Sequence, residues 1–191
     1  MPKVGMEPLR KSALVEATIN EIGREGSLDV TVSQIARRAG MSSALAHHYF
    51  GSKEKMFLAA MRHILTLYNA EVRGAMLLAA TPKARVEAIV RASFSRTNFR
   101  AEVVGAWLNF YVLAQTSDEA RRLLRVYQGR LRTNLTAHLR PMIGARAVDV
   151  AAGLGAMMDG IYIRQALTPD PLSPSPEEMM LDYLDMALAR R

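Results

Sequence analysis

Apolar residues recur at three- and four-residue spacing along the chain, and nowhere do they alternate in the two-residue rhythm of a strand. Leu14, Val15, Thr18, Ile19 and Ile22 mark an amphipathic helix that starts near Leu9 and ends between Gly23 and Gly26. Ahead of it, Met1 to Pro8 reads as a short arm, because Pro2 and Gly5 discourage regular structure, and its Lys3 is placed to touch a phosphate. Thr31 then caps a short helix carrying Val32, Ile35, Ala36 and Ala39 on one face. Gly40 supplies the unrestricted backbone of a helix end, and Ser42 or Ser43 caps a third helix carrying Leu45, Ala46, Tyr49 and Phe50. A fourth helix begins near Lys53 and runs past Tyr68. Its continuous apolar face, Phe57, Met61, Ile64, Leu65 and Tyr68, makes it the lever between head and body.

Further helical patterns follow, separated near Thr81-Pro82, Thr116 to Asp118, Pro141 to Gly144 and Thr168 to Pro176. The proline-rich TPDPLSPSPEE reads as a rigid turn rather than a linker, and Ser175-Pro176-Glu177-Glu178 as a helix start with acids near the positive end of the dipole. Met179, Met180, Tyr183, Leu184, Met186, Ala187 and Leu188 give the last helix a broad apolar surface. With Ala151, Leu154, Met157, Met158 and Ile161 of the preceding helix they form either a homodimer interface or the chain's own core. The fold expected is all-α: a three-helix head with a helix-turn-helix, residues 8–68, and a larger helical ligand-binding and dimerisation body, residues 69–191.

The segment from Thr31 to Phe50 has the form of a DNA-binding helix-turn-helix, although two short helices and a tight turn also describe an ordinary hairpin. In the DNA-binding case the second helix enters the major groove N-terminus first. That makes Ser42, Ser43, Ala44, Leu45, His47 and His48 candidates for the groove. From Val30 to Lys53 the chain holds Arg37, Arg38 and Lys53 and no carboxylate, so a polyanion meets no repulsion there. A formal net charge of +7 agrees with phosphate binding.

The same segment resembles the TetR-type repressors, in which a serine-led recognition helix ends in an aromatic pair, followed by a short turn and a lysine. Here these are Ser42, Tyr49-Phe50, Gly51-Ser52 and Lys53, with Glu54, Met56, Phe57 and Leu58 continuing the pattern. The resemblance implies phosphate-contacting roles for Thr31, His47 and Lys53, and places Ser43, Ala44, Leu45 and His48 nearer the bases of a double-stranded operator. His47 departs from the pattern, since many members carry a tyrosine there; an imidazole donates to phosphate with a strength set by its protonation. The opening stretch to Gly40, AHHYFGSK, AWLNFY and MMDGIYIRQAL together resemble the choline-responsive branch of that family. The implied function is repression of choline import and of choline oxidation to glycine betaine, with choline as the inducer.

A quaternary ammonium donates no hydrogen bond, so selective binding needs aromatic faces and a nearby carboxylate. Trp107, Phe110 and Tyr111 lie at helical spacing, as do Asp159 and Tyr162, and Tyr68 and Glu71 on the fourth helix are further candidates. Such spacing equally suits a core face. The 12 methionines leave room for another cationic or hydrophobic ligand, since Met suits an adaptable pocket as well as an ordinary core. Catalysis is not expected: His47, His48, His63 and His138 include no pair at metal-binding helical spacing, and no phosphate loop or nucleophile motif appears. No cofactor, metal or membrane is expected. The lack of cysteine and of any long apolar run points to a reducing, cytoplasmic setting.

Overall fold

The computed structural model describes residues 5–168 and 174–190, and among these every regular element is helical. In chain order the α-helices are α1 (Met6–Glu25), α2 (Val32–Arg38), α3 (Ser43–Phe50), α4 (Lys53–Leu78), α5 (Pro82–Ser93), α6 (Ala101–Thr116), α7 (Asp118–Ile143), α8 (Ala147–Leu167) and α9 (Pro176–Ala189). None is long and apolar enough to cross a membrane.

Two boundaries differ from expectation. α1 begins at Met6, so Pro8 lies inside the helix; it occupies the first turn, where its missing N–H would have no partner anyway. Glu7 and Lys11 pair at 2.6 Å and support that turn, while Lys3 lies outside the described residues. The break expected at Pro141 to Gly144 is present: α7 runs through Pro141, since a proline so near a helix end displaces only one bond, and ends at Ile143 before a 3-10 turn over Gly144–Arg146. The second difference is a break between α5 and α6, in a stretch with no glycine or proline. Buried Asn98 stabilises it, donating to the carbonyl of Ala92 at 2.8 Å and to the carboxylate of Glu71 at 2.7 Å. The start of α9 is as expected, with Ser175 and Glu178 forming a reciprocal capping box. Of the proline-rich turn ahead of it, residues 169–173 lie outside the described residues.

Two apolar cores result. One joins α1 to α4 with α6, so Leu14, Ile35, Phe57 and Met61 of the head share a cluster with Trp107 and Phe110. The other joins the rear half of α4 to α5, α7, α8 and α9. Ala151, Leu154, Met158 and Ile161 of α8, with Met180, Leu184 and Ala187 of α9, are buried within this chain. Most residues expected at a dimer interface therefore fill the chain's own core. The larger apolar side chains that these helices leave exposed are Val148, Ile163, Leu167 and Met186, beside the small Ala152 and Ala156.

The head is fastened to α6 by backbone contact. A Cβ on Gly23 would stand 2.3 Å from the Cα of Glu102, and one on Gly105 would stand 3.2 Å from the Cα of Gly23. Charge fastens α2 to α1: Arg38 donates to the buried carboxylate of Glu21, which also pairs with Arg24 at 3.2 Å. Burial pushes the Glu21 carboxyl up, but the two guanidiniums outweigh it and hold the group below its ordinary value of 4.5.

Gly23→Ala is expected to lower stability by about 2 kcal/mol, since overpacking exceeds the helix-propensity gain of roughly 1 kcal/mol. By contrast, Gly74→Ala, in α4 with open space around it, gains close to the full propensity term, and urea unfolding midpoints distinguish the two. Glu21→Gln is expected to cost about 2 kcal/mol at neutral pH. Because the folded-state value is depressed, the wild-type advantage is complete above pH 4.5 and lost as pH falls through the folded value. Unfolding titrations of both proteins across acid pH test this.

Candidate functional site

The helix-turn-helix is built by its caps. Thr31 and Gln34 form a capping box at the start of α2, with the Thr31 hydroxyl accepting from the Gln34 N–H at 3.1 Å and donating to Gln34 Oε1 at 2.8 Å. Gly40 takes a left-handed φ of 67°, which lets the Met41 N–H reach back to the carbonyl of Ala36 at 2.8 Å and close the helix. Ser42 caps α3 by accepting from Leu45 N–H at 3.2 Å. Ile35, Ala36 and Ala46 are buried where α2 and α3 meet, and Ser33 Oγ lies 2.9 Å from Ser43 Oγ across the same seam.

What α3 leaves outward is the surface a groove would meet. Ser42, Ala44, His47 and His48 are exposed, while Ser43, Leu45 and Tyr49 are half-buried at its edges. Nδ1 of His47 donates to the Gly51 carbonyl at 3.2 Å, which leaves Nε2 free; that nitrogen offers a donor only when the ring is charged. Exposed Lys53 donates to the carbonyl of Leu28 at 2.7 Å and holds the loop between α1 and α2. The hydroxyl of Thr31 is occupied by the capping box, so its accessible contribution is the exposed start of α2.

Between the two cores lies a small aromatic cavity of about 20 Å³, room for little more than a water molecule. Trp107 and Tyr111 enter it from α6, Tyr127 from α7, Asp159 and Tyr162 from α8, and Ile64 and Tyr68 from α4. The Trp107 ring lies 4.8 Å from Tyr127, 5.8 Å from Tyr111 and 6.4 Å from Tyr162, and Tyr68 meets Tyr127 edge-on at 6.0 Å. The Tyr111 hydroxyl donates to Asp159 Oδ1 at 2.7 Å, and that of Tyr162 donates to the Ser93 carbonyl at 2.6 Å. Burial raises the Asp159 carboxyl above its ordinary value, partly offset by the Tyr111 bond. Burial likewise raises all four tyrosines, which stay neutral donors. The site thus offers ring faces and one half-buried carboxylate, the chemistry that suits a cation without N–H groups.

Five of the seven sequence-predicted ligand residues converge here: Trp107, Tyr111, Asp159, Tyr162 and Tyr68. Phe110 does not. It is fully buried against Phe57 at 6.3 Å, on the side of α6 that faces the head. Nor does Glu71 line the cavity, because its carboxylate accepts from Asn98 just outside. Sequence reasoning missed Tyr127, Ser93 and Asn98. Tyr127 stands four residues from Leu123 and from Leu131, the spacing of an ordinary core residue, and nothing local marks it as a cavity wall.

Residues 82–189 match the model of the BetI-type transcriptional repressor, C-terminal, and residues 14–60 that of the bacterial regulatory proteins of the tetR family. The chain is 50% identical over 191 residues to the HTH-type transcriptional regulator BetI of Brucella melitensis biotype 2, covering 99% of this chain and 96% of the relative. With BetI of Rhizobium meliloti it shares 52% over 174 residues, 91% of this chain and 86% of the relative. In fold it is similar to a transcriptional regulator from Rhodococcus sp. Rha1, with a TM-score of 0.79 at 23% identity over 93% of each chain. A protein from Saccharomonospora viridis solved in complex with choline gives a TM-score of 0.81 at 20% identity, covering 94% of this chain and 96% of the other. These families and BetI relatives are regulators of transcription, not enzymes. Half-identity along nearly the entire length, together with a family model spanning most of the body, makes this chain a member of the BetI-type transcriptional repressors of the TetR family.

Proposed function

We propose that the chain represses genes for choline import and for choline oxidation to glycine betaine, and that choline in the aromatic cavity releases it from DNA. The observation that carries this reading is the meeting of Trp107, Tyr111, Tyr127 and Tyr162 around Asp159. Trimethylammonium rests on the rings while Asp159, oriented by Tyr111, supplies the opposing charge, and the choline hydroxyl faces the polar end at Ser93 and Asn98. The BetI relatives and the choline-bound fold relative support the choice of ligand.

On DNA, residues 8–68 act as the reading head. α3 lies in the major groove with Ser42, Ser43, Ala44, Leu45 and His48 near base edges; Thr31, His47, Tyr49 and Lys53 face the phosphates. Residues 69–191 bind the ligand and dimerise, and the outward faces of α8 and α9 pair two copies, so that two heads read a near-palindromic operator. A cavity of about 20 Å³ must widen to admit choline. Widening displaces α4 through Ile64 and Tyr68 and α6 through Trp107 and Tyr111, and both helices reach the head. A tenfold loss of operator affinity requires only about 1.4 kcal/mol of differential binding.

Titration of the protein on DNA from upstream of its own gene, at fixed salt, is expected to show specific binding that choline weakens about tenfold. Trp107→Ala keeps the DNA affinity and loses the choline effect; specific binding that choline leaves untouched would assign the cavity to a different ligand. Acidification has a definite sign. Bound cation favours the ionised form of Asp159, whose carboxyl is raised from 3.8, so choline affinity falls as pH drops through that raised value. Asp159→Asn is expected to bind choline more weakly and without this pH dependence, measured by calorimetry.

A further inference from the structure

Behind the aromatic cage lies a second, larger cavity of about 240 Å³, between α4, α5 and α7. Tyr68 and Tyr127 line both spaces, so the edge-on pair at 6.0 Å is the wall between them. The two sides of that wall have opposite chemistry. The cage holds a carboxylate and no cationic group, whereas the second cavity has no acidic residue in its lining and carries Arg62 and Arg130. Its floor is apolar, made by Leu65, Val72, Ile89 and Leu131. Arg62 shares its charge with Glu119. Arg130 is exposed and makes no ion pair among the described residues, so its guanidinium is available to an incoming anion.

We infer that this second cavity is a binding site for a small amphiphilic anion, an apolar chain ending in a carboxylate or similar group, and that its occupant opposes choline. The chain lies along the apolar floor and the head group meets Arg130 and Arg62. The opposition follows from volume. The cage is too small for a quaternary ammonium, and its movable wall, Tyr68 with Tyr127, borders a void large enough to receive the retreating rings. An anion filling that void holds the wall forward and keeps the cage closed. By linkage choline must weaken the anion to the same degree. The anion site stands on its own geometry, and only the opposition rests on the cage reading above.

Octanoate below its micelle concentration is the probe, with binding followed by calorimetry and by the fluorescence of Trp107, the chain's one tryptophan. Octanoate is expected to bind and octanol to bind about tenfold more weakly, and Arg130→Glu to weaken octanoate by about tenfold with choline affinity unchanged. Saturating octanoate raises the apparent Kd for choline by about fivefold or more. Absence of octanoate binding, equal binding of octanol, or indifference to Arg130→Glu overturns the anion site. An unchanged choline Kd overturns the opposition. Should choline alone fail to bind, the cage reading and the opposition fall together, while the calorimetry of octanoate still decides the anion site.

Discussion

The backbone contact between α1 and α6 is the constraint on which the proposed communication between cavity and head depends. Gly23 has no side chain because none fits against Glu102, and at this crossing neither helix can slide without displacing the other. Trp107 stands two residues beyond Gly105 on the same helix, so a cage wall and the support of the DNA-reading head belong to one rigid element. α4 is the second such element, carrying Ile64 and Tyr68 into the cavity while Lys53 at its start holds the loop at Leu28. α4, the helix expected as a lever, is joined by α6, so that two helices converge on the head from one cavity.

Rigidity at these contacts explains how a small ligand can matter at a distance. Packed helices do not deform smoothly, so a change at the cavity appears as a shift of whole elements. The head is packed as one unit: α2 is tied to α1 by Arg38 and Glu21 and to α3 by Ile35, Ala36 and Ala46. In the proposed mechanism choline need not distort α3. It need only alter the angle at which α1 and α4 present it, and a dimer magnifies that change because both heads must fit one operator.

Local chemistry made the head legible in the sequence. Capping residues, Gly40 and the apolar spacing of α2 and α3 act within a few residues of one another, so the chain states them directly. Where the reading failed, a local rule met a distant partner or none. Pro8 does not break α1, because the first turn requires no N–H from it. The end of α5 carries no glycine or proline, since Asn98 reaching Ala92 and Glu71 supplies what a breaker residue would have. The cage was half visible: Trp107 with Tyr111, and Asp159 with Tyr162, share helix faces that spacing reveals, but only the packing of α6 on α8 brings them to 2.7 Å. Phe110 and Tyr127 show the limit most clearly. Both lie at core spacing, yet one faces the head and the other the cavity, and helix rotation settles which. The apolar faces of α8 and α9 were read by amount, and amount does not say whether a face covers its own chain or a second copy.

A chain with a formal charge of +7 is at first sight a poor host for a cation. The difficulty resolves by distance and dielectric. Exposed arginines and lysines act through water and salt, where their influence fades over about 8 Å. Asp159 acts from a half-buried position beside four ring systems, where the effective permittivity is lower and a charge at contact distance weighs several times more than the same charge in water. The positive excess therefore serves the phosphates of DNA without deciding what enters the cage. In the proposed arrangement selection falls to the two faces of the Tyr68 and Tyr127 wall, one backed by a carboxylate and the other by guanidiniums, so that charge sign sorts ligands between adjoining spaces.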